Sequence, residues 1–292
     1  MRKKYLFISV LICFLLTTKP AVALKDLKKE QLIQQIEILQ QEIFILKSLI
    51  KASKSQKITA QAYLVFDVSK NKILLKKNHN KVYPIASITK LMTATIAKEN
   101  INPKNKITIN SEILKDLKES LVFFNGANLE AEDLIKANLI QSSNQAAKAL
   151  TYFLGEEKFL TLMNQKAKGL GMKNTIFYDS SGLSPLNRST AEDIVKILIY
   201  IYKNHPDILK TTKENNFWLK DQNGKWTKFM NLNDFYLFNN FIGGKTGYIP
   251  ESKQTFASLF NIKGRIIAIA ILYSDNTKAD TFLIIKEINK LL

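Results

Sequence analysis

The sequence predicts an α+β fold: one antiparallel sheet built from the two ends of the chain, with helices between them. Three observations carry this reading. β-rich runs fill residues 60–68 and 72–76 near the start, and 217–220, 225–228, 254–260 and 265–272 in the last third. The stretch between them is patterned mostly for helix. No internal repeat interrupts that order.

Taken in order, the chain opens with Arg2-Lys3-Lys4, an apolar run from Tyr5 to Leu16, and the small residues Ala21-Val22-Ala23. This is the pattern of a secretory signal peptide over 1–23, short for a membrane span, with an uncleaved anchor as the alternative. Cys13, the only cysteine, follows Leu11-Ile12 inside the apolar run, a poor setting for lipid attachment. The remainder of the chain therefore has no disulfide, no Cys-based zinc site and no Cys nucleophile.

A stretch free of Gly and Pro follows, roughly 24–52. Leu32, Ile36, Leu39, Ile43, Leu46 and Ile50 alternate in steps of four and three, a heptad seam with Ile at a and Leu at d. Glu42 and Lys47 occupy g and the following e positions. The seam predicts a coiled-coil-like helix and self-association through 24–52. Ile38, Phe44 and Ile45 make the other face apolar as well, so packing onto its own domain or another partner is an equal alternative. A polar linker, KASKSQK, closes the segment at 57.

The globular domain is expected over 58–292. Ser69-Lys70-Asn71 turns the first hairpin. Residues 130–137 and 146–154 are the clearest helices of the middle. A helix over 190–202 is opened by Ser189/Thr190 with Glu192 and Asp193 in its first turn, and a last helix covers 278–291.

Composition bounds the function. The chain has 292 residues, 46% apolar and 23% charged, the mix of a soluble globular protein, and its 10 Gly and 6 Pro exclude a collagen-like or low-complexity polymer. Lys and Arg number 43 against 25 Asp and Glu, a formal charge of +18, which favours an anionic partner: nucleic acid or a cell-wall polymer. Export argues against nucleic acid. The two histidines, His79 in KKNHNK and His205 before Pro206, have the surroundings of surface residues, which disfavours a Ser-His-Asp hydrolase or a histidine-rich metal site.

Three short motifs carry chemistry. Ser87-Ile88-Thr89-Lys90 sets a hydroxyl and an amine three residues apart, on one face of a helix, where the amine can take the hydroxyl proton. Ser48/Lys51 and Ser69/Lys72 share the spacing, but only Ser87 is flanked by apolar residues that would bury the pair. Burial matters because a solvated lysine is protonated at neutral pH, and desolvation or a neighbouring cation would make it a base. Ser142-Ser143-Asn144 lies between two helical segments; Ser69-Lys70-Asn71 and Ser274-Asp275-Asn276 match it equally well alone. Lys245-Thr246-Gly247 occurs once, after Gly243-Gly244. A phosphate loop would need different glycine spacing and a following helix, and has neither.

The order SxxK, SxN, KTG is far more specific than its parts. With PIASITKLMTA around Ser87, QSSNQAAKAL from 141, LMNQKAKGLGMKNTIFYDSSGLSP at 162–185, STAEDI at 189–194 and GGKTGYI at 243–249, residues 58–292 resemble the low-molecular-mass penicillin-binding proteins, the serine-type D-alanyl-D-alanine carboxypeptidases and endopeptidases. The resemblance implies the penicillin-binding protein/serine β-lactamase-like fold, with an antiparallel sheet and a helical subdomain. It implies an exported enzyme, in the periplasm or on the cell-wall side of the membrane, that works without cofactor or metal. Its substrates would be peptidoglycan peptides and its inhibitors β-lactams. Ser87 would be the nucleophile and Lys90 the general base. Ser142 would relay a proton to the leaving amine while Asn144 holds Lys90 and the substrate amide. Lys245 and Thr246 would receive a substrate carboxylate. The backbone N–H groups of Ser87 and Tyr248 would form the oxyanion hole. Arg265 is a weaker candidate for the carboxylate, a solvated edge arginine being the plainer reading.

Two departures matter. Many carboxypeptidases of this family carry a second β-rich domain and a terminal amphipathic anchor, whereas this chain stops after its last helix, like the shorter endopeptidase-like members. The heptad segment is foreign to the family pattern. A β-lactamase would share all three motifs, but residues 177–189 lack the Glu that class A enzymes use for hydrolysis of the acyl-enzyme. A non-catalytic penicillin sensor is the third reading; it would need membrane spans after residue 24, and none is evident.

Overall fold

The computed structural model describes Ile36, Leu39, Ile43 and residues 57–115, 123–220, 224 and 226–292. The chain divides into two units, Met1–Lys47 and Ser48–Leu292. In the first, Ile36, Leu39 and Ile43 are helical and about half exposed, three successive positions of the heptad seam. The signal-like segment, the other seam positions and most of the linker lie outside the described residues. No described helix is long and apolar enough to cross a membrane.

The second unit opens with the expected hairpin, β1 (Ala62–Asp67) and β2 (Lys72–Lys77), turned through Asn71 at φ 52°. A two-residue strand β3 (Tyr83–Pro84) leads into a 3-10 turn at Ala86–Ile88 and helix α1 (Thr89–Asn100). Strands β4 (Lys106–Thr108) and β5 (Asn128–Glu130) pair around the short helix α2 (Ser111–Leu114). Helices α3 (Ala131–Ile140), α4 (Asn144–Leu154) and α5 (Glu156–Gly169) follow. β6 (Arg188–Ser189) pairs with β3 and precedes α6 (Ala191–Asn204), whose cap is the predicted one: Thr190 Oγ1 accepts from Asp193 N at 3.1 Å. Helix α7 (Pro206–Lys213) leads to a separate hairpin, β7 (Asn216–Lys220) with β8 (Trp226–Met230). Strands β9 (Phe241–Ile249), β10 (Lys253–Ile262) and β11 (Arg265–Ser274) and helix α8 (Thr277–Leu291) complete the chain.

The principal sheet has the order β2-β1-β11-β10-β9, antiparallel throughout, so both chain ends do meet in one sheet. Its central strand shows how the layers form. In β11 the isoleucines 267, 269 and 271 face a cluster that includes Ile284 and Ile288 of α8, while Ala268 and Ala270 face the helical layer. Both faces are buried, as a near-continuous apolar strand requires. The alanines permit close approach on the helical side. Buried Asp280 of α8 accepts from Thr59 N at 2.7 Å, Ala60 N at 2.9 Å and Ser274 Oγ at 2.6 Å, tying the start of the domain to its last helix. β9 is the last strand of this sheet, and among the described residues no further strand pairs with its outer edge.

Candidate active site

Helix α1 is buried along its first nine residues, Thr89 to Ala97. A helix apolar on one face only could not sit there, so its polar residues need internal partners. Thr93 Oγ1 donates to the Ser180 carbonyl at 2.6 Å, and the Lys90 carbonyl accepts from Asn138 at 3.1 Å. Lys90 itself is fully buried. Its Nζ lies 3.0 Å from Ser87 Oγ, 2.7 Å from Asn144 Oδ1 and 2.5 Å from the Ser181 carbonyl oxygen. The predicted i, i+3 meeting of hydroxyl and amine is therefore present, although Ser87 sits in the 3-10 turn and only Lys90 in the α-helix.

Asn144 reaches this cluster because it is the first residue of α4. Ser143 caps that helix by accepting from Ala146 N at 3.1 Å, and Ser142 just before it takes a left-handed φ of 59°. A non-glycine residue there is strained, a cost of the order of 1–3 kcal/mol that recurs at functional sites. Ser142 is partly exposed, and among the described residues its hydroxyl makes no hydrogen bond. It is brought beside the cluster by chain connectivity and not by a contact of its own.

The third motif lies on β9. Lys245 is buried, and Nζ donates to the Thr246 carbonyl at 3.0 Å. Burial, and then the like charge of Lys90, hold the Lys245 amine well below the usual lysine range. Thr246 is half-buried, and Tyr248 is 66% exposed. Gly247 is where the strand and the Ser87 turn touch. A Cβ there would lie 2.8 Å from Ser87 N and 3.0 Å from Ala86 Cβ, so only glycine allows the β9 backbone against the turn. Thr255 of β10 fixes the same approach by donating to the Ile85 carbonyl at 3.0 Å. This brings the β9 backbone at Gly247, one residue before Tyr248, against the Ser87 N–H.

One contributor went unread in the sequence. The Ser181 carbonyl is the third partner of Lys90, and Asp179 organises the loop that carries it. One Asp179 carboxylate accepts from Ser181 N at 2.7 Å, Ser181 Oγ at 2.9 Å, Gly182 N at 2.5 Å and Ser184 N at 2.6 Å. Gly182, at φ 85°, lets the loop press on the Ser87 turn, where a Cβ would sit 2.0 Å from the Ala86 oxygen. The signal was a run of Asp, Ser, Ser and Gly, a loop-forming composition. Arg265 is placed elsewhere. It starts β11, beside the turn from β10, whereas Lys245 pairs with Ala257 and so lies level with Ala270. Its guanidinium is held at 3.4 Å by buried Asp67, which makes it a structural edge residue and not a carboxylate receptor. His79 and His205 pair with Glu192 and Glu99, outside the cluster.

A family model described as D-alanyl-D-alanine carboxypeptidase matches residues 49–276. A D-alanyl-D-alanine endopeptidase of Haemophilus influenzae is 34% identical over 228 residues, 75% of this chain and 77% of that one. The D-alanyl-D-alanine carboxypeptidase DacF of Bacillus subtilis is 29% identical over 227 residues, 75% of this chain and 58% of that one. Among solved structures, a D-alanyl-D-alanine carboxypeptidase from Mycobacterium tuberculosis superposes with a TM-score of 0.71 at 26% identity, covering 78% of this chain and 91% of that one.

Proposed function

The chain belongs to the D-alanyl-D-alanine carboxypeptidase family and is a serine-type D,D-peptidase; we propose that Ser87, Lys90, Ser142 and Asn144, with Lys245, Thr246 and Tyr248, are the residues that perform its chemistry. The observation that carries this is the position of a fully buried lysine amine 3.0 Å from a partly exposed serine hydroxyl. Asn144 and the Ser181 carbonyl hold that amine in place, so it is aimed before substrate arrives. In its neutral form Lys90 takes the Ser87 proton as Oγ attacks the D-alanine carbonyl. The oxyanion forms against the N–H groups of Ser87 and Tyr248. Ser142 passes a proton to the departing amine, leaving the acyl group on Ser87 for water to hydrolyse. Lys245 and Thr246 receive the carboxylate beside the scissile amide.

That carboxylate defines the substrate class. A terminal D-Ala-D-Ala has one beside its scissile bond. A cross-link from D-Ala to the D-centre of a diamino acid has one too. We therefore assign both carboxypeptidase and endopeptidase substrates to this site, on peptidoglycan at the cell-wall side of the membrane. Export by the segment 1–23 and a coiled-coil role for 24–52 belong to the same proposal.

Purified uncross-linked and cross-linked muropeptides, digested by wild type and by Ser87→Ala, test it. Wild type should release D-alanine or split cross-links and should bind fluorescent penicillin covalently; Ser87→Ala should do neither while melting as wild type does. Covalent labelling of Ser87→Ala at the wild-type rate would reject the nucleophile.

A further inference from the structure

The hairpin of β7 and β8 has two unlike faces. Inward, Leu219 and Phe229 are buried, and Phe229 stacks on Phe217 at 4.6 Å between ring centroids and meets Phe123 at 5.7 Å. The hairpin is thereby anchored to the domain by one side alone. Outward, the register sets Trp218 opposite Lys228 and Lys220 opposite Trp226, with Met230 continuing the row. Trp218 and Trp226 are 55% and 56% exposed, and Leu232, just beyond the strand, is 59% exposed. Trp218, Lys220, Trp226, Lys228 and Met230 include no acid. Neither indole takes part in the Ser87 cluster, and soluble proteins seldom leave two tryptophans in water without a use.

We propose that this outward face rests in the headgroup layer of an anionic lipid bilayer. Tryptophan and lysine together are the residues that settle at such a boundary: the indole body enters the acyl edge while ammonium groups stay with the phosphates. Charge complementarity selects the surface. Among its described residues the face carries only positive charge, on a chain of formal charge +18, and a negative bilayer attracts each exposed lysine. The ring geometry speaks against the other polymer within reach of the wall side, a glycan strand. Sugars would stack on open indole faces, yet Lys220 Nζ stands 5.6 Å from the Trp226 centroid and Lys228 Nζ 5.6 Å from that of Trp218. The cation closes one face of each ring to a sugar, while the apolar Met230 and Leu232 are exposed beside them. Such a contact would hold the enzyme against the membrane while its peptidase site serves the wall beyond.

The chain supplies its own probe, because Trp218 and Trp226 are its only two tryptophans. Full-length protein is mixed with vesicles of phosphatidylglycerol and phosphatidylethanolamine, or of phosphatidylcholine alone, and both tryptophan emission and pelleting are followed. The expected result is a blue shift with the anionic vesicles only, reversed by salt. Lys220→Gln with Lys228→Gln should weaken the vesicle affinity read from that shift by on the order of thirty-fold, with penicillin labelling intact as the control for folding. Pelleting with unchanged emission would place the membrane contact elsewhere and overturn the proposal. A shift with isolated glycan strands and none with vesicles would make the face a sugar platform. A shift that follows protein concentration without lipid would make it an interface between copies. Either of these also overturns it.

Discussion

Replacing Gly247 with alanine tests the contact on which the proposed oxyanion hole depends. The backbone of Gly247 is not in a glycine-only conformation, so alanine acts there by bulk. Its Cβ would lie 2.6 Å from Thr255 Oγ1 and 2.8 Å from Ser87 N, where ordinary contact begins near 3.4 Å. Thr255 cannot simply rotate away, because its hydroxyl holds the Ile85 carbonyl. Ser87 N is backbone and has no rotamer at all. Strand β9 and the Ser87 turn must therefore part by about 0.6 Å, the difference between 3.4 and 2.8 Å, where the proposed oxyanion donors of Ser87 and Tyr248 would have to act together. Losing an aligned oxyanion donor lowers rates by about 10²–10³-fold. The fold should survive, since β9 stays laddered to β10 over its length and overpacking typically costs about 1–3 kcal/mol. The assay is the time course of covalent labelling by a fluorescent penicillin, beside a thermal melt. Wild-type acylation by a folded Gly247→Ala protein would show that the approach of β9 to Ser87 is not what activates the site.

Asp179→Asn weakens the four hydrogen bonds that shape the 179–184 loop, so the Ser181 carbonyl should lose its place on Lys90. Acylation should slow about ten-fold or more, with a displaced pH–rate profile, whereas a slower rate with an unmoved profile would leave Asp179 only a structural role. Lys245→Met should abolish turnover of carboxylate substrates and also remove a pH-dependent instability. The folded-state pKa of Lys245 is lowered, so between that value and about 10.5 the unfolded chain binds a proton that the folded chain refuses. Wild-type stability should therefore rise with pH across that window, by up to about 1.4 kcal/mol per pH unit. The difference between wild type and Lys245→Met in urea titrations should carry that slope, and parallel curves would refute it. Removing residues 24–55 should leave a penicillin-reactive monomer, and a full-length protein that already sediments as a monomer at micromolar concentration would exclude the dimer.

Much of this was readable because it is local or periodic. The Ser87–Lys90 contact follows from a three-residue step, the Thr190 cap from a polar residue ahead of acids, and the first hairpin from alternation around Asn71. The pairing of chain ends followed from where the β-rich runs fall. Strands β4 and β5 escaped because three residues carry no period, and their pairing spans the residues between 108 and 128. Helix α5 was missed although its ends are marked, by Glu156 and Glu157 in its first turn and Lys166 and Lys168 in its last. The Arg265 candidacy failed for a different reason: β10 stands between β11 and the strand of Lys245, and the register sets Ala270, not Arg265, level with Lys245.

The least legible partner of Lys90 is a backbone carbonyl, and that bears on how the acyl-enzyme ends. A carbonyl has no sequence signature, but what it does here is exclude an alternative. In the stretch where a class A β-lactamase sets a glutamate to activate water, this chain turns Asp179 onto its own loop amides and offers Lys90 the Ser181 oxygen. That carboxylate is already saturated with donors, so it is a poor base for a deacylating water. In the proposed mechanism hydrolysis then falls to Lys90 and Ser142, the groups assigned to acylation, whose approach to the ester a bulky penicilloyl adduct would obstruct more than a D-alanyl one. The same geometry thus favours turnover of peptides and slow release of β-lactams, which separates a D,D-peptidase from a β-lactamase built on the same three motifs. Timing the loss of penicillin label from wild type decides between them: persistence far beyond the peptide turnover time agrees with the saturated Asp179, and release as fast as peptide hydrolysis would mean that some other group supplies the water.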